Sequence, residues 1–366
     1  MMSTPLILLA AGGTGGHLFP AEALGGELMK RGFRVRLATD ARALRYSGLF
    51  SRDTIDVVPS ETVRSRNPFS LARTGLTLAA GMAVAVHLLR KLKPAAVVGF
   101  GGYPTLPPLI AAWLLGIPGI IHEANAVPGR ANRFLASRVS AIATSLPGLL
   151  DRDPELASKT TDVGMPMRPA ILAAAGVKYA APEVTGPFRL LVTGGSQGAR
   201  VMADIVPGAI EKLEPSLWNR LALTQQVREE DMTRVRAVYD RLKINAELAP
   251  FFTDLPARLA ANHLIVSRSG AGTVSELAAI GRPSILVPLP GAIDQDQFAN
   301  AGVLSEVGGA LRIAQSELTP DRLASEISGL AAEPSKLAAM AQAARSAGRL
   351  DAAQRLADLV VKVAGI

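Results

Sequence analysis

Two α/β halves, each a doubly wound parallel sheet with helices on both faces, are the fold that this 366-residue sequence predicts. Three observations predict it. Short apolar runs alternate with helix-length segments along most of the chain, the pattern of strands buried on both faces. The alternation weakens over Pro147–Pro187, where six prolines fall, and then restarts. A glycine-rich turn follows the first strand of each half, at Gly12–Gly16 and again at Gly194–Gly198.

In the first half Pro5–Ala11, Val35–Ala38, Ile55–Val58, Ala95–Gly99, Gly119–Ile121 and Ala141–Thr144 read as buried strands. Glu22–Arg31 and Leu71–Leu92 between them have helix length. In the second half Phe188–Thr193, Leu221–Thr224, His263–Val266 and Ser284–Val287 read as strands with helices after them. The Ala-rich segment from about Ser335 reads as terminal helices, of which 346–366 packs back on the first half. The expected domains are therefore 1–165 and 166–345, followed by that helix. Open parallel sheets bind ligands beyond the carboxyl ends of their strands, so two facing halves make a cleft.

Composition removes several classes. At 49% hydrophobic and 19% charged residues the chain buries large cores and is not disordered. With no cysteine it has no disulfide scaffold, no thiolate metal site and no cysteine nucleophile. Four histidines make zinc chemistry a poor fit, and no metal or cofactor is expected. The opening MMSTPLILLAAGG lacks a basic region and runs into glycines, as a strand and turn would, rather than a signal peptide.

The net charge of +8 is concentrated. Between Lys30 and Lys93 there are 13 Lys and Arg against 4 Asp and Glu. An anionic partner is implied, either nucleic acid or a membrane surface. Aromatics are only 4% of the chain and no nucleic-acid motif is present, so nucleic acid is the weaker reading. Leu71, Leu76, Leu78, Met82, Val86 and Leu89 lie along one helix beside Arg64, Arg66, Arg73, Arg90, Lys91 and Lys93. Such a helix is either half-buried core with a solvated basic face or a docking element for an anionic membrane. Its uncharged run, Thr74–Leu89, is sixteen residues, short of the roughly 20 that span a bilayer.

The turns carry the chemistry. Gly12-Gly13-Thr14-Gly15-Gly16-His17 joins a strand to a helix, where backbone N–H groups and the helix N-terminus favour an anion. Glycines alone fit a tight turn that needs no ligand. His17 adds a titratable group at the helix start, suited to a general base. Gly194-Gly195-Ser196-Gln197-Gly198 matches G-x-S-x-G, yet only His263 follows Ser196, at a strand start, so a hydrolase triad is poorly supported. Ser196 reads better as a phosphate-binding hydroxyl. Ser267–Glu276 repeats the strand–turn–helix pattern; Glu276 either binds sugar hydroxyls or simply favours the helix dipole. Asp294–Gln297 either binds hydroxyls or caps a helix. His122-Glu123-Ala124-Asn125 is not H-E-x-x-H and is balanced between a site and a hydrogen-bonded turn.

Taken in order, GGTGGH at 12–17, GFGGYP at 99–104, HEAN at 122–125, GGSQGAR at 194–200, SRSGAGTVSE at 267–276 and DQDQ at 294–297 resemble the MurG family. These are the undecaprenyldiphospho-muramoylpentapeptide N-acetylglucosaminyltransferases of bacterial peptidoglycan synthesis. The resemblance implies a GT-B fold of two Rossmann-like domains, with UDP-GlcNAc held mainly by the second and lipid I reaching the first from the membrane. It places Thr14, Gly15 and Gly16 at the first phosphate loop, Asn125 on the sugar, and Arg168 and Ser196 on the donor. Ala271, Gly272, Thr273 and Glu276 would bind uridine, ribose and diphosphate, and Gln297 the sugar hydroxyls. Phe252 stands at the family's aliphatic uracil-side position, and Gly272 replaces an expected Leu. Tyr103 would help bind the acceptor, and the base would be His17 or Glu123. The implied setting is the cytoplasmic face of the inner membrane, reached through Leu71, Leu76, Leu78, Arg64, Arg66 and Arg73, with a cell-wall synthesis complex as a further partner. A UDP-GlcNAc 2-epimerase shares such a fold, and a non-catalytic lipid or nucleotide-sugar scaffold would tolerate loss of His17.

Overall fold

The structure, a computed structural model, describes residues 4–12, 14–41, 48–60, 67–146, 148–151, 153–195, 198–291 and 296–366, with the side chains of 68–73 outside that description. The chain divides into two compact units. One is Met1–Arg168 together with Leu350–Ile366, and the other is Pro169–Arg349.

The first unit runs β1 (Leu6–Ala10), α1 (Gly15–Lys30), β2 (Arg34–Thr39), β3 (Ile55–Val57), α2 (Pro68–Leu92), β4 (Ala96–Gly99), α3 (Leu106–Leu114), β5 (Gly119–Glu123), α4 (Arg130–Leu135), β6 (Ala141–Thr144), α5 (Pro154–Ser158) and β7 (Thr160–Asp162). Its strands form one sheet in the order β3-β2-β1-β4-β5-β6-β7. Every pairing is parallel. The apolar runs sit where both faces are covered: all five residues of β1 are buried. Ile7 and Leu9 face a core shared with Leu24 and Leu28 of α1, while Leu8 and Ala10 face one shared with Ala85 and Leu89 of α2 and Leu109 of α3.

The second unit runs α6 (Pro169–Ala175), β8 (Phe188–Thr193), α7 (Arg200–Glu211), α8 (Pro215–Trp218), β9 (Leu221–Gln226), α9 (Glu229–Arg241), β10 (Ala246–Ala249), α10 (Leu255–Ala261), β11 (Leu264–Ser267), α11 (Ala271–Ile280), β12 (Ser284–Leu286), α12 (Asp296–Ser305), β13 (Ala310–Arg312), α13 (Pro320–Ala332) and α14 (Pro334–Ser346). Its sheet is parallel, in the order β10-β9-β8-β11-β12-β13. α15 (Ala352–Ala364) then returns to the first unit, where Leu356, Ala357 and Val360 enter the core beneath α1.

All ten expected strands are present. Three more, β7, β10 and β13, lie at sheet edges, where the segments TTD, AELA and ALR carry no continuous apolar run. α1 starts at Gly15, seven residues before the apolar pattern suggested, because the glycine turn itself winds into the helix.

Candidate active site

In each sheet the strand order reverses once, between β1 and β4 and between β8 and β11, and crevices at such reversals are where parallel sheets hold ligands. The glycine motifs follow those four strands. In the first unit the paired residues Ala10 and Gly99 bring the turns after β1 and β4 side by side, and β5 adds its own carboxyl end next to β4.

His17 lies in the first turn of α1, whose N-cap Thr14 is extended and makes no side-chain cap bond. Its Nδ1 is 2.8 Å from the carbonyl oxygen of Phe100. A carbonyl only accepts, so Nδ1 carries the proton and Nε2 the lone pair in the neutral ring. Glycines wall the imidazole. A Cβ on Gly12 would stand 3.0 Å from its Cδ2, and Cβ atoms on Gly101 and Gly102 would stand 3.3 and 3.4 Å from the ring. Gly101 and Gly102 also have φ of +89° and +80°, where other residues are strained. The GFGGYP motif therefore shapes the seat of His17 through its backbone, and the half-buried Tyr103 opens the 3-10 turn that follows.

Glu123 ends β5 and is 3% exposed. Its Oε1 accepts from the backbone N–H of Asn125 at 3.0 Å and from Asn125 Nδ2 at 3.2 Å. Its Oε2 accepts from Gly129 N–H at 2.9 Å and from Asn132 Nδ2 at 2.8 Å. His122, beside it, is buried with Nε2 bonded to the carbonyl of Gly164 at 3.0 Å. Burial pushes its pKa below the ordinary histidine value, and the neighbouring His17 lowers it further. Arg168, the last residue of the first unit before α6, lays its guanidinium 3.7 Å over the Phe19 ring of α1, near Glu22.

In the second unit Ala271, Gly272 and Thr273 make the first turn of α11 after the N-cap Gly270, and Glu276 follows half-buried one turn later. Gln297, in the first turn of α12, accepts from Leu289 N–H through Oε1 at 3.1 Å, and its carbonyl accepts from Ser269 Oγ at 2.8 Å. Phe252 is buried under the Arg258 guanidinium. Ser196 lies outside the described residues.

Two residues that the motifs did not single out organise this end. Gln226 Oε1 accepts from Thr193 Oγ1 and Gly194 N–H, both at 2.9 Å, while its Nε2 donates to Pro250 O at 3.1 Å. It thereby ties the turn after β8 to the segment that carries Phe252. Arg268 is buried and donates to the carbonyls of Val287 and Pro288 and to Gln315 Oε1. The sequence signal of Gln226 was a polar residue at the end of an apolar strand, whereas Arg268 stood inside the SRSGAGTVSE motif without a role of its own. Among the described residues no three His, Asp or Glu side chains gather as metal ligands would.

Of the proposed docking residues, Leu76 is 74% exposed on α2, while Leu78 is half-buried in line with Thr74, Gly81 and Ala85 on the inner stripe. Arg64 and Arg66 lie outside the described residues, as do the side chains of Leu71 and Arg73. Thr74–Leu92 is long and apolar enough to cross a membrane by length and composition, and 17% of that window is buried. Its inner stripe nevertheless belongs to the sheet's core through Ala85 and Leu89. α3 and α4 cover the same face of the sheet and expose Trp113 (53%) and Phe134 (50%), with the Arg138 guanidinium 4.2 Å over Phe134 and 5.9 Å over Trp113.

Two parallel-sheet units with glycine turns at their switch points make a GT-B fold, and the chain belongs to glycosyltransferase family 28, whose N-terminal domain matches residues 7–144 and C-terminal domain residues 189–356. Its relatives are more particular. It is 79% identical over its full length to a Bradyrhizobium diazoefficiens protein named UDP-N-acetylglucosamine--N-acetylmuramyl-(pentapeptide) pyrophosphoryl-undecaprenol N-acetylglucosamine transferase, covering 100% of both chains. A Nitrobacter hamburgensis protein of the same name is 76% identical, with 100% of this chain and 98% of that one covered. Among solved structures, Acinetobacter baumannii MurG superposes with a TM-score of 0.77 at 29% identity over 98% of this chain and 99% of that one. UDP-GlcNAc 2-epimerase from Neisseria meningitidis shares the fold at a TM-score of 0.69, with 14% identity over 98% of this chain and 100% of that one.

Proposed function

We infer that this protein is an inverting glycosyltransferase. It moves GlcNAc from UDP-GlcNAc to the 4-hydroxyl of the N-acetylmuramyl-pentapeptide carried by undecaprenyl pyrophosphate, converting lipid I to lipid II. The full-length identity with transferases of that name carries this reading.

The geometry supports roles for particular residues. His17 is the base: the Phe100 carbonyl holds its proton on Nδ1, so Nε2 takes the proton of the attacking hydroxyl. Asn125 contacts the sugar, Tyr103 the acceptor, and Thr14, Gly15 and Gly16 line the first phosphate loop. The second unit binds the donor, with Ala271, Gly272 and Thr273 offering first-turn amides to the diphosphate and Glu276 meeting the ribose. Ser196 and Arg168 contact the donor, Gln297 its sugar hydroxyls and Phe252 the uracil side. Charge developing on the leaving UDP is met by those amides and by Arg168.

The first unit docks on the anionic cytoplasmic leaflet that holds lipid I. Leu76, Trp113 and Phe134 enter the headgroup boundary, and Arg90, Lys91, Arg130, Arg133 and Arg138 meet its charge. UDP release from UDP-GlcNAc, measured with and without a lipid I analogue, tests the reaction. Release should require the acceptor and fall roughly 10²–10⁴-fold in His17→Ala, as loss of a general base does. Release without acceptor would overturn the transferase reading, and full activity in His17→Ala would remove His17 as the base.

A further inference from the structure

We propose that Glu123 is a positioning residue whose carboxylate locks the 124–129 turn and sets the Asn125 amide against the donor sugar. The inference rests on the reading that Asn125 touches that sugar.

A carboxylate offers about four lone-pair sites. At Glu123 four donors take them, two on each oxygen, at distances of 2.8 to 3.2 Å. A base needs a lone pair turned to the substrate; here all are turned to the protein. The donors bracket one turn. Asn125 lies two residues after Glu123, Gly129 six residues after, and Asn132 on α4 holds the same oxygen as Gly129. Asn125 gives Glu123 both its backbone N–H and its side-chain Nδ2, which fixes the orientation of the amide and puts Oδ1 on the opposite edge.

A neutral isostere cannot do this. Glutamine has one acceptor oxygen and one donor nitrogen. Whichever way its amide is turned, the nitrogen faces a backbone N–H that cannot reorient, from Asn125 on one side or Gly129 on the other. The site therefore demands an acceptor at both oxygens, which is a demand of architecture.

Glu123→Gln and the milder Asn132→Ala, which removes one donor and leaves the carboxylate, test this on the full chain. Amide hydrogen exchange over 124–132 reads the turn directly, and calorimetric Kd values for UDP-GlcNAc and UDP read the sugar contact. Both variants should speed exchange at Asn125 and Gly129. Glu123→Gln should weaken UDP-GlcNAc by about 5–20-fold, the worth of one or two hydrogen bonds, while UDP, which has no sugar beyond its ribose, binds as before. Unchanged exchange in Glu123→Gln overturns the proposal. So does a fall in kcat of roughly 10²-fold or more with UDP-GlcNAc binding intact, the signature of a lost base. Faster exchange with unchanged UDP-GlcNAc affinity would leave the turn held by Glu123 but overturn the sugar contact of Asn125, separating the two failures.

Discussion

His263 shows how burial beside arginines makes a residue pH-sensitive. It precedes β11, away from the glycine turns, and its Nδ1 accepts the backbone N–H of Arg189 at 3.0 Å. Burial, aided by Arg189, Arg220 and Arg282, pushes its pKa down to about 4. In the unfolded chain it returns to the ordinary value near 6.5. Unfolding therefore takes up a proton between those values, so stability present above about pH 6.5 is lost as pH falls toward 4. The thermal midpoint of the second unit should drop by several degrees across that window, and His263→Gln should flatten the drop; an equal slope in the variant would exclude His263 as its source. Residue types at strand ends marked His17 and Glu123 in the sequence as candidates for one role. What separates them, a carbonyl bound to the ring Nδ1 of one and four donors around the carboxylate of the other, depends on Phe100, Gly129 and Asn132. No spacing rule ties those residues to their partners, because the contacts are made across strands and turns.

Helices α2, α3 and α4 cover one face of the first sheet, and their outer surfaces are unusually apolar for solvent-facing positions. Leu76, Val84, Trp113, Leu114 and Phe134 are all exposed. In vesicle sedimentation with phosphatidylglycerol-containing liposomes, Leu76→Asp with Trp113→Asp should lower the bound fraction by about tenfold or more, from the apolar area withheld from the membrane. Both side chains point outward, so the thermal midpoint should stay unchanged; undiminished binding would place docking elsewhere. The helix α2 was legible from its long uncharged run, whereas the contribution of α3 and α4 was not. Trp113 and Phe134 belong to short helices of nine and six residues, too brief for a periodicity to separate an inward from an outward face. The same brevity hid the edge strands β7, β10 and β13. An edge strand is held on one side only, so it needs backbone pairing more than an apolar run.

At the scale of the molecule, the second unit is contiguous while the first is closed by residues 350–366. Leu356, Leu359 and Val360 of α15 share a core with Ile7, Leu9, Leu24 and Leu28, and Arg31 of α1 meets Asp358 at 2.6 Å. The ion pair is exposed and adds little. The apolar loss decides: removing buried leucines costs about 2–5 kcal/mol each, against a whole-domain stability of about 5–15 kcal/mol. Deleting 350–366 should therefore abolish slow hydrogen exchange in β1 and β2 while β8 and β11 keep theirs; retained protection in β1 would show that α15 is dispensable. The alternating pattern revealed two sheets because fully buried parallel strands advertise themselves. That α15 lodges beneath α1 rests on a stripe at Ala353, Leu356, Ala357 and Val360, which marks an amphipathic helix without saying which surface receives it. Translation runs in one direction, so every residue of the second unit leaves the ribosome before the first unit has its full complement. The half that starts first must wait in an unfinished state, its β1–α1 face uncovered, for the whole time the other half is being made.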